Sequence, residues 1–189
     1  MPFAIRKRAK SLPSPLGLTV VEMMILLAAL ALIILISVPG SSLLFGKYNL
    51  RSATNELFTG LDLARTEAQL RSATVVMCPS SNGHTCRKDG DWTLGWLVFS
   101  DGNGNGRVED IEFIRSFDAP PTGIQIMAHG AVQAKAAFTV TGLVPDNEAK
   151  TGLFKICLDD PEKLPKLVKI DEDGWLQRIP TRNETCENS

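Results

Sequence analysis

Gly17-Leu18-Thr19-Val20-Val21-Glu22, with the 24 uncharged residues from Met23 to Gly46 behind it, decides how the rest of this 189-residue chain is read. One carboxylate at the head of a greasy helix is costly, because an ionised acid facing hydrocarbon needs a partner, so acids in such places tend to be functional. The uncharged run is long enough to span a bilayer at about 1.5 Å rise per residue. Ahead of it stand Arg6, Lys7, Arg8 and Lys10 and no acid, a bias that holds the N-terminus in the cytoplasm. An ordinary signal-anchor with Glu22 among the headgroups is the plainer alternative. A cleaved secretory signal fits worse, since the apolar run is too long and no small-x-small site follows it.

Composition describes one globular head on a stem. The formal charge of −1 hides an asymmetry: without residues 1–17 the chain keeps 16 basic residues against its 21 acidic ones, a net charge of −5. A strongly basic nucleic-acid binder is therefore excluded. One Tyr, three Trp and eight Phe are too few for a broad base-stacking platform.

Four cysteines fall in two groups, Cys78 with Cys86 and Cys157 with Cys186. In a head outside the cytoplasm an even count points to disulfides. Three pairings exist, and Cys78–Cys86 with Cys157–Cys186 is favoured. The first closes a loop of Pro79, Ser80, Ser81, Asn82 and Gly83, residues with turn chemistry; the second pins the polar tail 181–189. Zinc competes for four cysteines, but there is no Cys-x-x-Cys pair, and only His84 and His129 could assist.

Pro39 and Gly40 lie where the apolar run ends, and proline inside a helix removes a hydrogen bond and bends it. Beyond them Leu50, Ala53, Leu57, Leu61, Ala64 and Ala68 recur at steps of three and four, with Arg51, Asn55, Glu56, Asp62, Arg65 and Glu67 between them. That is an amphipathic helix over about 48–72 whose apolar stripe packs on a core. Strands are expected at 74–78, 95–100, 112–117, 124–128, 136–141, 153–158, 166–170 and 175–179, separated by Gly102, Gly104, Gly106, Gly123, Gly142, Gly174, Pro120, Pro121 and Pro145. Strands following one helix make an α+β head on a mostly antiparallel sheet.

Asp101, Asn103, Asn105, Gly106, Arg107, Glu109 and Glu112 occupy places one, three, five, six, seven, nine and twelve of a calcium-loop pattern. Such a loop supplies hard oxygens from alternate side chains and one carbonyl, with glycine at the sharp turn. Calcium is thus a candidate cofactor, bound weakly. Asn-Gly repeats between strands also make hairpin turns with no metal at all. No catalytic constellation emerges: His84 falls in the candidate disulfide loop and His129 in a turn, and no serine stands in a nucleophile-elbow pattern. No glycine loop carries the lysine of a phosphate cradle. An enzyme is not expected.

Gly17 to Glu22 resembles the cleavage site of a type IV prepilin, with Leu18, Val20 and Val21 as mild departures from the usual Phe-Thr-Leu-Ile-Glu. The strings Leu63-Ala64-Arg65-Thr66-Glu67-Ala68, Val76-Met77-Cys78-Pro79-Ser80, Asp91-Trp92, Gly95-Trp96-Leu97-Val98-Phe99 and Asp101-Gly102-Asn103-Gly104-Asn105-Gly106 resemble, in this order, the GspH/FimT family of minor pilins and pseudopilins. The Cys-Pro-Ser element and the Gly-Trp strand look more like its FimT/FimU branch. The resemblance implies a type IV pilin-like fold: a long kinked N-terminal helix, membrane half plus amphipathic half, on an antiparallel head. It implies a leader, 1–17, removed after Gly17 by a prepilin peptidase, and Leu18 as a methylated new N-terminus. Residues 18–46 become the transmembrane and assembly helix, and 47–189 the periplasmic head. Glu22 would pair with the N-terminal amine of a neighbouring subunit, which meets the charge-burial cost. The implied role is a minor pilin in the inner membrane, then in a filament with other minor and major pilins. A type II secretion pseudopilin or a DNA-binding minor pilin for transformation is the alternative. Some FimT-like relatives bind DNA through a Gly-Arg-x-Arg motif; here that place reads Gly174-Trp175-Leu176-Gln177, and only Arg178 and Arg182 stand nearby. Two cations neutralise few phosphates, so DNA is not an expected partner.

Overall fold

The computed structural model describes residues 17, 19–37, 41–144, 149–159, 164–181, 185 and 186, with side chains at 35–37 and 41–45 excepted. Two compact units divide after Ser42. The first holds helix α1, Val20–Ser37; the second holds nearly all of α2, Ser41–Arg71, and every strand. At about 1.5 Å per residue the 18 residues of α1 reach about 27 Å, against about 30 Å of hydrocarbon. Accordingly, no helix among the described residues is long and apolar enough to cross a membrane. Pro39 and Gly40, the expected bend, lie outside the described residues, as do residues 1–16 and Leu18.

In the second unit the stripe on α2 is the core: Ala53, Leu57, Leu61, Ala64 and Ala68 are fully buried and Leu50 nearly so. The helix begins before the expected Tyr48 because Ser41 to Lys47 contain no breaker but Gly46, which a helix interior tolerates at about 1 kcal/mol. It ends where Ser72 takes a positive φ of 51°, a left-handed residue that closes a helix.

Among the described residues nine strands follow, each pair of them antiparallel: β1 Val75–Pro79, β2 Trp96–Ser100, β3 Phe113–Phe117, β4 Ile124–Gly130, β5 Ala136–Thr139, β6 Gly142–Leu143, β7 Gly152–Leu158, β8 Lys166–Ile170 and β9 Leu176–Ile179. The expectation of one sheet is corrected to two. One sheet has the order β3-β2-β1-β5-β6 and the other β4-β7-β8-β9. Local periodicity marks strands but says nothing of partners, and β4 pairs with β7 across more than twenty residues. The expected strand 136–141 also ends early, at Thr139, and a two-residue strand follows it. The chain turns at Val140 and Thr141 and returns with Phe138 opposite Leu143. Gly142 makes the turn at φ 135°, where a Cβ would stand 2.5 Å from the Glu172 carbonyl oxygen.

Both sheets share the core with α2: Val75, Met77, Trp96 and Phe138 from the first, Ile126, Phe154, Ile156 and Val168 from the second. A short 3-10 turn, Trp92–Leu94, ties them. Trp92 stands edge-on to Phe154 at 5.0 Å, and Thr93 Oγ1 accepts from the Ile126 amide at 3.2 Å. Strands β1 and β2 are buried on both faces, since Val76, Cys78, Leu97, Phe99 and Ala137 make a second cluster covered by Cys86 and Val108.

Candidate functional site

Thr19 starts α1. Its carbonyl oxygen accepts from the Met23 amide at 3.2 Å and its Oγ1 from the Glu22 amide at 3.3 Å, the bonds of an N-cap residue. Glu22 therefore occupies the third helical position, where a carboxylate also meets the positive end of the helix dipole. The spacing Thr-x-x-Glu is a capping signal legible in the sequence, and it is Thr19, not Glu22 alone, that defines this helix start. Every side chain from Val20 to Ile34 is exposed, eleven large apolar ones included. A helix apolar all round is not a soluble surface; lipid or other helices must cover it. Gly17 is exposed with nothing within 4 Å of a built Cβ, and Leu18 lies outside the described residues.

Two disulfides tie the head. Cys78–Cys86, with Cα atoms 5.5 Å apart, and Cys157–Cys186, at 5.8 Å, leave no free cysteine. Inside the first loop Asn82 Oδ1 accepts from the amides of His84 and Thr85, both at 3.0 Å. Beyond it Arg87 pairs with Asp89, and that hydrogen bond holds the Asp89 carboxyl below the usual range.

The loop 101–112 is closed by its own hydrogen bonds. The Gly106 amide donates to both oxygens of buried Asp101 at 3.2 Å. The Asn105 amide donates to Asn103 Oδ1, and the Arg107 amide to Asn105 Oδ1. Asn105 Nδ2 donates to Glu109 Oε1 at 2.9 Å. Glu112 Oε2 is buried without a hydrogen bond. Among the described residues no group of three or more His, Cys, Asp or Glu is gathered to hold a metal ion.

On β9, Arg178 is exposed, with its guanidinium 4.5 Å over the Phe58 ring; Arg182 lies outside the described residues. Trp175, expected to open the last strand, precedes it. The residue is 58 % exposed, with its ring under the Arg65 guanidinium at 4.0 Å, and the Asp171 side chain accepts from its amide at 2.7 Å and holds it in the turn. His84 is exposed in the disulfide loop, while His129, expected in a turn, is exposed on β4 opposite Leu153. The two histidines are not brought together.

The sequence pattern of the family described as "Type II transport protein GspH" matches residues 53–174. No curated protein sequence matches. Among solved structures, the type IV minor pilin FimU of Pseudomonas aeruginosa (strain PAO1) is similar in two crystal forms. In space group P21 the TM-score is 0.57 at 22 % identity, over 75 % of this chain and 97 % of FimU. In P65 it is 0.54 at 22 %, over 72 % and 99 %. At that identity the likeness is one of fold: a pilin-type helix on antiparallel sheets.

Proposed function

Because the chain belongs to the GspH family, we propose that it is a minor pilin, a structural subunit that inserts by its N-terminal helix and helps initiate or cap a type IV pilus. The observation that carries this reading is α1: an exposed apolar helix with one carboxylate in its first turn and a capping threonine that orients it. In the scheme, residues 1–17 are removed and Leu18 is methylated. Residues 18–46, with the uncharged run continuing past Ser37 to Gly46, anchor the chain in the inner membrane. The head, 47–189, stands in the periplasm until the subunit joins a filament. There Glu22 pairs with the Leu18 amine of a neighbour, and the pairing offsets burial of both charges. The partners are other pilins, a prepilin peptidase and, before assembly, the membrane. The family's description favours one neighbouring reading, a minor pseudopilin of type II secretion, in which helix and carboxylate do the same work. The test is Glu22→Ala: insertion persists, because the change only raises apolarity, while the amount of subunit in sheared filaments falls. Wild-type incorporation of that variant, or an intact Met1 N-terminus by mass spectrometry in cells that process other pilins, overturns the reading.

A further inference from the structure

Four cations converge on a cleft of about 710 Å³ between α2 and the β8–β9 edge: Lys47 and Arg51 from the helix, Lys166 from β8 and Arg178 from β9. Among the described residues no acid lines it and none of the four makes an ion pair, and all four are exposed. Its remaining wall is largely apolar, with Leu167 buried and Leu164 left 52 % exposed. In a head rich in acids, such a concentration of unpaired positive charge beside an open leucine calls for an anionic amphiphile.

We infer that this cleft holds the phosphate headgroup of an anionic phospholipid of the periplasmic leaflet. Lys47 is the first charged residue after the uncharged run that ends at Gly46. Along α2, Lys47 and Arg51 lie about 1.5 and 7.5 Å beyond Gly46. Both helix cations thus stand within the first two turns after that run, and the tertiary fold adds Lys166 and Arg178 from more than a hundred residues away. Arg178 is held in place by the Phe58 ring. A glycerophospholipid uses both halves of the cleft, its phosphate against the cations and its glycerol and first methylenes against Leu164 and Leu167. A free phosphate leaves the leucines unused. A duplex needs cations strung along its backbone rather than gathered in one cleft. The lipid would keep the head seated on the membrane until the subunit is drawn into a filament.

This inference rests on the membrane-anchored reading above, and the experiment separates the two. The full-length chain is reconstituted in nanodiscs of phosphatidylcholine with or without phosphatidylglycerol, and native mass spectrometry counts the lipids retained. Wild type should keep phosphatidylglycerol in preference to phosphatidylcholine. Arg51→Gln with Arg178→Gln should weaken that retention about thirtyfold, at about fivefold per cation near a membrane surface. Both side chains are exposed, so the variant should fold, and an unchanged circular dichroism spectrum checks it. Lys88→Gln with Lys135→Gln removes two charges from a different cleft and should leave retention unchanged. Equal retention by wild type and the Arg51/Arg178 variant, or equal loss in the Lys88/Lys135 control, overturns the inference. So does displacement of the lipid by millimolar glycerol phosphate, which would mark a free-anion site. Sub-micromolar duplex binding lost on changing Arg51 and Arg178, with lipid retention unaltered, overturns it in favour of DNA. A chain absent from the cell's membrane fraction sinks the anchored reading and this one together; an inserted chain without lipid preference sinks this one alone.

Discussion

Gly60→Ala sets helix propensity against packing, and the structure decides the sign. Gly60 lies in the interior of α2, where replacing glycine by alanine ordinarily stabilises by about 1 kcal/mol. A Cβ at this position would stand 2.9 Å from Trp96 Nε1, 3.2 Å from Met77 Cε and 3.3 Å from Met77 Sδ. Methionine can swing aside. The indole cannot do so cheaply, because Trp96 is fully buried and stacked on Phe117 at 5.8 Å between ring centroids. Overpacking of this kind costs about 1–3 kcal/mol, so the net effect should be a loss of about 1 kcal/mol. Urea denaturation of the full-length chain in detergent, followed by tryptophan fluorescence, measures it. The same substitution on a Trp96→Phe background, where the blocking nitrogen is gone, should recover the propensity gain and leave a coupling of about 1–2 kcal/mol between the two sites. Stabilisation by Gly60→Ala in the wild-type background, with no coupling, would refute the claim that α2 is seated against the Trp96 ring.

Removing the Cys157–Cys186 bridge, which closes 29 residues, should destabilise the head by about 3.5 kcal/mol, and removing Cys78–Cys86, which closes 8, by about 2.5 kcal/mol; paired Cys→Ser variants in urea check the order, and the reverse order would count against the chain-entropy account. Thr19→Val should cost the α1 N-terminus about 1 kcal/mol and lower filament incorporation, with Thr19→Ser restoring it; equal incorporation of all three would show that the cap does not help to present Glu22. The full-length chain should shift duplex DNA only weakly in a gel titration at physiological salt, since the place of the arginine pair holds Trp175 and Gln177. Sub-micromolar binding abolished by Arg178→Ala with Arg182→Ala would instead make it a DNA receptor.

Local pattern was enough for the elements. The three-and-four spacing of Leu50 through Ala68 is a property of one helix, and the strands of five to seven residues announce themselves locally, so α2, β1, β2, β4, β7 and β8 were legible within a few positions. The ordered strings around Cys78, Trp92 and Trp96 were enough for the family, because they are short and contiguous. Pairing was not legible. Whether β4 joins β3 or β7, and so whether there is one sheet or two, depends on contacts between segments far apart in sequence, for which periodicity carries no term. Trp92 illustrates the gap: the sequence leaves it between two expected strands, and only the fold lays it against Phe154 to join the sheets. Trp175 was misplaced for the opposite reason, since its β-propensity is local but a side chain of Asp171 and a guanidinium from α2 hold it in a turn. Of three possible cysteine pairings the loop chemistry favoured Cys78–Cys86 with Cys157–Cys186, and the fold sets those Cα atoms within bonding range. The cation cleft is the extreme case: Lys47, Arg51, Lys166 and Arg178 are four ordinary surface charges in the sequence, and they become one site only because burial of the α2 stripe against the second sheet brings its edge beside the helix.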